Sequence, residues 1–290
     1  MIKAIRNYAP LFKIRICSLI TFSAVVGLIS ASSSGFRVTA ESIILLAIVT
    51  MLASAGASAF NHYFDRDIDR LMDRTKARPL AAGTAIDSKK ILFAAVALFM
   101  ASMLLSFKAL NYMVALHLFL GGFVYSVVYT VWLKRRSWLN IIIGGLAGSF
   151  AVLAGGASAT PEFCMLPVLL SIVMFFWTPS HFWSFAILHR EEYSAAGIPM
   201  LPNVIGDVKT ARCILANTVL LVGSSLIPVL FGFLGYIYGV AAAGLGAFFI
   251  LRNIQLIYDG SRHNARANFM ASMIYLGVLF LSVIADLLLL

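Results

Sequence analysis

Apolar residues along this chain neither alternate nor form one-sided stripes; they run in blocks separated by short polar or charged breaks. A hydrocarbon layer roughly 30 Å thick is crossed by about 20 helical residues, and nine blocks reach that length. They fall at about 14–34, 41–64, 88–107, 109–133, 138–158, 163–187, 211–231, 234–256 and 268–289. The pattern predicts an all-α polytopic membrane protein of nine helices. It leaves no room for a separate soluble domain or a low-complexity linker, so residues 1–290 are expected to form one transmembrane domain. Segments at about 66–88 and 190–210 are expected to cap it.

Composition agrees, with 61% hydrophobic and 12% charged residues and a mean hydropathy of +0.94, outside the range of soluble domains. Charge adds the orientation. With the N-terminus inside, 20 of the 22 Lys and Arg residues fall on the inner side, leaving only Arg37 and Lys108 outside. Nine of the 12 acids are also inside, the others being Glu41, Glu162 and Asp286. The net charge of +10 therefore describes one basic cytoplasmic face rather than a nucleic-acid surface. A basic start followed by an apolar run and "ISASSSG" also has the form of a secretory signal, but the charge sorting favours an uncleaved first helix. Cys17, Cys164 and Cys213 have no metal-binding spacing and read as small buried side chains.

The second and sixth spans run in the same direction, and both end in acidic clusters, at 61–73 and in "HREEY" at 189–193. That offset predicts two similarly oriented four-helix units, spans two to five and six to nine, with the first helix added. Within "NHYFDRDIDRLMDRTKARPL", Asn61, Asp65, Asp69 and Asp73 advance by four. If the helix continues to the mid-seventies they form a ladder, each rung rotated by about 40° and raised by about 6 Å. Stacked carboxylates repel one another unless cations lie between them. An amide and carboxylates suit Mg²⁺, which bridges one or two carboxylates to phosphate oxygens, and Arg70, Arg74, Lys76 and Arg78 supply phosphate-clamping groups beside it. The ladder reads as a metal-diphosphate site, against the blander reading of a solvated cap of salt bridges. Asp67 lies off the ladder and is expected to orient an arginine. Tyr63, Phe64, Tyr125, Tyr129, Phe182 and Trp183 stand near the same helix ends, where aromatic faces stabilise a desolvated cation. His181 follows a Thr-Pro-Ser kink and is a candidate iron ligand or a hydrogen-bonded packing histidine.

These residues resemble the first Asp-rich motif of the intramembrane prenyltransferases of the UbiA superfamily. The longer form D-R-D-I-D-x-x-M-x-R-T-x-x-R-P-L is similar to the branch that makes heme O. "YTVWLKRRSWLNIIIGGLAG" at 129–148, "TPSHFW" at 178–183 and "EEYSAAGIPMLPNVIG" at 191–206 extend the similarity to that branch. The chain departs from the branch's usual pattern at Lys13-Ile14-Arg15, Phe150-Ala151, Pro179-Ser180-His181 and Glu191-Glu192-Tyr193, where proline or aspartate is usual.

The resemblance implies farnesyl diphosphate as donor and heme b as acceptor. Mg²⁺ would be held by Asn61, Asp65 and Asp69 and, across the cleft, by Glu191 and Glu192. Lys134 and Arg135 would contact the diphosphate with Asp65 and Asp69 as the catalytic set. Tyr129, His181, Trp183 and Tyr193 would line the substrate site with the arginines and Lys76. It also implies an inner-membrane location and, as partners, heme A synthase or a terminal oxidase assembly. A prenyltransferase acting on a quinone precursor or pigment shares the mechanism. A transporter fits less well, because its ionisable groups belong near the midplane.

Overall fold

The computed structural model describes residues 9–83 and 87–289; Lys3 and Arg6 of the basic start and residues 84–86 of the first cap segment lie outside them. Among the described residues nine helices are long and apolar enough to cross a membrane, and the protein is a multi-pass membrane bundle. They are α1 (Ile14–Ser30), α2 (Ala40–Asp69), α3 (Ser88–Ala109), α4 (Tyr112–Leu133), α5 (Asn140–Ala159), α6 (Met165–Leu188), α9 (Asp207–Leu230), α10 (Tyr236–Tyr258) and α11 (Arg262–Leu289). Two short helices, α7 (Arg190–Ala195) and α8 (Leu201–Ile205), lie between α6 and α9.

Local chemistry fixes several starts. Thr39 and Ser42 form a reciprocal capping box at α2, Asp87 caps α3, and Asn111 accepts from Met113 and Val114 N–H at α4. Asp286, buried near the end of α11, accepts from the Gly235 and Tyr238 N–H groups and so caps α10 from another helix.

Helices α2 to α5 pack in sequence, and α6, α9, α10 and α11 close a second ring. α1 lies against α2, α5 and α11 and so belongs to neither. The α1–α5 crossing is backbone on backbone: a Cβ at Gly155 would overlap the Ala24 carbonyl, and one at Gly27 the Val152 carbonyl. This close approach uses small residues, as helix contacts in lipid do.

The second ring encloses a neutral polar network. Ser180 shares a 2.8 Å hydrogen bond with Thr218, Thr218 donates to Asn253, Asn253 to Asn268, and Asn268 to Ser184. Asn217 donates to Ser180 Oγ and to the Phe176 carbonyl. Ser180, Ser184, Thr218, Asn253 and Asn268 are each fully buried.

Two local features depart from expectation. α2 ends at Asp69 rather than in the mid-seventies, because the chain turns there: Leu71 N–H bonds to the Ile68 carbonyl, and Thr75 Oγ1 donates to the Asp69 carbonyl at 2.9 Å. Asp73 therefore leaves the ladder and pairs with Lys76 on the surface. The second half of α4, Val124–Leu133, is a π-helix, a form that recurs at functional sites.

Candidate active site

The α2 register puts Asn61, Asp65 and Asp69 on one face at successive turns, and all three are buried. Each rung meets a cation from a different segment. Lys13, at the start of α1, donates to Asn61 Oδ1 at 2.7 Å. Lys134, at the end of α4, donates to Asp65 Oδ2 at 2.5 Å. Arg78, from the turn after α2, reaches both oxygens of Asp69 at 2.9 and 2.8 Å. Asn61 Nδ2 closes the row by donating to Asp65 Oδ2 at 2.7 Å and to Thr130 Oγ1 at 3.0 Å. Asp65 Oδ1 is buried and has no hydrogen-bond partner.

The π-helix supplies the opposite wall through its five-residue spacing. Thr130 Oγ1 donates to the Tyr125 carbonyl and Lys134 N–H to the Tyr129 carbonyl. The Tyr125 and Tyr129 rings stack at 5.8 Å, and Lys134 Nζ lies 5.9 Å from the Tyr129 centroid. Tyr129 fits because α5 has glycine opposite it: a Cβ at Gly144 would crowd its ring.

The second acidic segment packs on the first. Tyr193 shares an apolar cluster with Ile68, Met72, Ile141 and Trp183. Tyr193 is buried, which pushes its phenol pKa up, and it lies within electrostatic reach of Tyr129, Arg74 and Lys134. Glu192 accepts from the Arg74 backbone N–H at 3.2 Å and shares a 2.8 Å hydrogen bond with His189. Partial burial works to raise the Glu192 pKa, but the His189 and Arg74 hydrogen bonds outweigh it and hold the carboxyl below the usual glutamate range. Glu191 is exposed. Among the described residues no three His, Cys, Asp or Glu side chains converge as a preformed metal cage.

Other predicted site residues are engaged elsewhere. Arg135 forms a two-pronged pair with Asp67, 2.7 Å on each arm, and also binds the Phe64 carbonyl. This gives Asp67 its arginine partner but turns Arg135 away from the ladder. Arg70 donates to the Ala81 carbonyl and folds the turn. Arg74 places its guanidinium over Phe185, and Lys76 stays with exposed Asp73. The aromatic set divides: Tyr125 and Tyr129 flank the ladder, Phe182 is exposed, and Tyr63 and Phe64 line a surface cavity of about 470 Å³ with Arg66, Asp67, Val131, Arg135 and Thr130, the last shared with the ladder.

Trp183 is buried with its indole N–H unpaired. His181 is sandwiched between Trp177 and Phe269, at 4.3 and 4.5 Å. Its Nδ1 lies 2.7 Å from Ser272 Oγ, whose own proton goes to the Phe269 carbonyl. Nδ1 is therefore the donor and Nε2 carries the lone pair. Sequence reasoning missed two members of the site. Thr130 gives no signal in a helical pattern, and Lys13 is indistinguishable by spacing from an ordinary membrane anchor.

The UbiA prenyltransferase family matches residues 20–283. A protein named protoheme IX farnesyltransferase 1 from Paramagnetospirillum magneticum (strain ATCC 700264 / AMB-1) is 51% identical over 281 residues, covering 97% of this chain and 98% of its own. The fold is similar to a solved digeranylgeranylglyceryl phosphate synthase at a TM-score of 0.83 and 19% identity, covering 99% and 100% of the two chains. It is also similar to a UbiA homologue from Archaeoglobus fulgidus solved with GPP and Mg²⁺, at a TM-score of 0.66 and 16% identity, over 94% and 99%.

Proposed function

This chain belongs to the UbiA prenyltransferase family, and from that premise we propose that it transfers a farnesyl group from farnesyl diphosphate to a vinyl group of protoheme IX. The products are heme O and diphosphate. The observation that carries this reading is the buried ladder of Asn61, Asp65 and Asp69, each rung held by a cation, at the basic end of a bundle whose nearly full-length relative bears the farnesyltransferase name.

The donor set fits Mg²⁺. Asp65 Oδ1 is a buried anionic oxygen without a partner, and Asn61 and Asp69 add oxygens on the same face, the hard ligands this ion takes. Those three would hold it, with Glu191 and Glu192 holding a second ion from the facing segment. Bound there, the metal supplies Lewis-acid neutralisation of the leaving diphosphate.

The chain's own groups do the rest. Lys134 and Arg78 neutralise charge as the farnesyl C–O bond breaks and diphosphate departs. The stacked Tyr125 and Tyr129 rings face the allylic cation and keep water from it. The vinyl double bond attacks that cation, and water adds to the resulting carbon centre and loses a proton, giving a hydroxyethylfarnesyl substituent. No redox change occurs. His181, with Nε2 free, supports a role in orienting the heme by ligating iron; the hydrogen bond at Nδ1 is the supporting arrangement that metal-ligating histidines use.

The turn at 70–83 and the α7–α8 segment are read as a cap over the diphosphate, with the basic end facing the cytoplasm at the inner membrane. A neighbouring heme A synthase or oxidase assembly would take the product. Purified protein given labelled farnesyl diphosphate, Mg²⁺ and either heme b or 4-hydroxybenzoate tests the assignment. Label is expected in the heme fraction; label in the benzoate alone would reassign the acceptor.

A further inference from the structure

Two arginines meet in the surface cavity at the basic ends of α2 and α4, and they are held differently. Arg135 lays both prongs on Asp67, 2.7 Å on each arm, and reaches the Phe64 carbonyl. Arg66 has no carboxylate within ion-pair distance among the described residues. Its guanidinium donates to the Tyr63 carbonyl at 2.6 Å and lies 4.4 Å from the Tyr63 ring centroid. A carbonyl and a ring face orient a guanidinium without neutralising it. With two cations and one acid, the cavity keeps a net positive charge.

Position separates this cavity from the ladder. At about 100° per residue, Tyr63, Arg66 and Asp67 fall on the side of α2 away from Asn61, Asp65 and Asp69. The cavity opens sideways, between the exposed residues Asp67, Val131 and Arg135. Trp132 and Trp138, 54% and 41% exposed, stand on either side of Arg135 in sequence, and exposed tryptophans mark the headgroup level of a bilayer. Away from the basic end, Val131, Val127, Phe123 and Phe119 follow one another at every fourth residue of α4, all exposed. They continue the cavity as an apolar track.

Charge, depth and shape together select the occupant. A phosphodiester supplies the anion that Arg66 lacks, and an acyl chain covers the track on α4, which a free anion would leave bare. Asp67 is engaged on both oxygens by Arg135, so the ammonium of a zwitterionic headgroup finds no open carboxylate there.

We propose that the cavity is a binding site for an anionic glycerophospholipid of the adjacent leaflet, its phosphodiester on Arg66 beside Arg135 and one acyl chain along α4. The site does not depend on the diphosphate reading of the ladder. It does adjoin it: Thr130 lines the cavity and accepts from Asn61 Nδ2 on the other side, and Arg135 follows Lys134, the partner of Asp65. A lipid seated there ties α2 to the π-helix and braces the ladder's wall from the bilayer.

The test titrates the purified full-length protein in detergent with dioleoylphosphatidylglycerol and reads the single-lipid complex by native mass spectrometry. Arg66→Gln removes the charge without touching the ladder and is expected to weaken that complex about tenfold or more, the loss of a hydrogen bond to a charged group. Val131→Trp keeps every charge but fills the cavity, and is expected to weaken it as much. Native affinity in either variant overturns the proposal, and should one fail to fold, the other carries the test. Arg266→Gln, at an exposed position on α11, is expected to change affinity less than about threefold; a loss equal to that of Arg66→Gln would mean a general pull of the basic face and overturn the site. Dioleoylphosphatidylcholine is expected to bind at least about fivefold more weakly, the effect of one cation on a net anionic headgroup, and equal binding overturns the anionic assignment. Inorganic phosphate in large excess is expected to leave the complex intact; displacement would give the cavity to a soluble anion instead.

Discussion

The two halves of the bundle bury polar groups in opposite ways. The second encloses Ser180, Ser184, Thr218, Asn253 and Asn268 in a neutral network in which every side chain finds a partner. The first encloses two carboxylates, an amide and the cations Lys134 and Arg78, with Lys13 reaching in from α1, yet leaves Asp65 Oδ1 unpaired. A satisfied network in low dielectric specifies packing. A charged cluster with a spare acceptor spends stability to hold a place for something else. On this contrast, substitutions in the first half should damage activity more than stability once charge is balanced, and substitutions in the second half the reverse.

The largest effect should come from Asp65. Asp65→Asn keeps shape and hydrogen bonding but removes the charge, and turnover is expected to fall by about 10²- to 10³-fold, measured as heme product formed per minute. Next, Lys134→Met leaves Asp65 buried without its ion-pair partner and should cost about 3–5 kcal/mol of stability. The double variant Asp65→Leu/Lys134→Met should recover most of that in thermal unfolding while remaining inactive. Recovery of activity with stability would erase the distinction between the halves.

In the second half, Asn253→Ala strands Thr218 and Asn268 and should cost about 1–3 kcal/mol, with kcat/KM for farnesyl diphosphate nearly unchanged. Asp286→Ala, which uncaps α10, should cost about 1–2 kcal/mol and likewise spare kcat/KM. The smallest effect belongs to Asp73→Ala: the residue is exposed and off the ladder, so melting temperature and turnover should both stay at the native level. A large loss there would restore the fourth rung.

The same contrast explains what the sequence makes legible. Nine spans emerge because bilayer thickness imposes length on every apolar block, although α2, α9 and α11 run beyond their blocks into charged residues at the basic end. The fourfold spacing of Asn61, Asp65 and Asp69 is a helical fact and survives. Its failure at Asp73 depends on a threonine hydroxyl capping the Asp69 carbonyl, a contact made only after the chain has turned. Tyr129 and Lys134 come together through a π-helix, whose five-residue spacing no 3.6-residue reading anticipates. Lys13 reads as an anchoring cation at the start of a span until the fold brings its Nζ to Asn61 Oδ1. The neutral network was hidden for a plainer reason: single Ser, Thr and Asn residues in apolar helices scarcely lower their hydropathy, and their pairing is tertiary.

The central claim is that the ladder holds a divalent ion against a diphosphate, and Mn²⁺ binding followed by electron paramagnetic resonance tests it most directly. Mn²⁺ stands in for Mg²⁺ at oxygen sites and is observed without turnover. Native protein should take up Mn²⁺ far more tightly when pyrophosphate is present, and folded Asp65→Asn should lose that enhancement. Equal, pyrophosphate-independent uptake by both proteins would contradict the account.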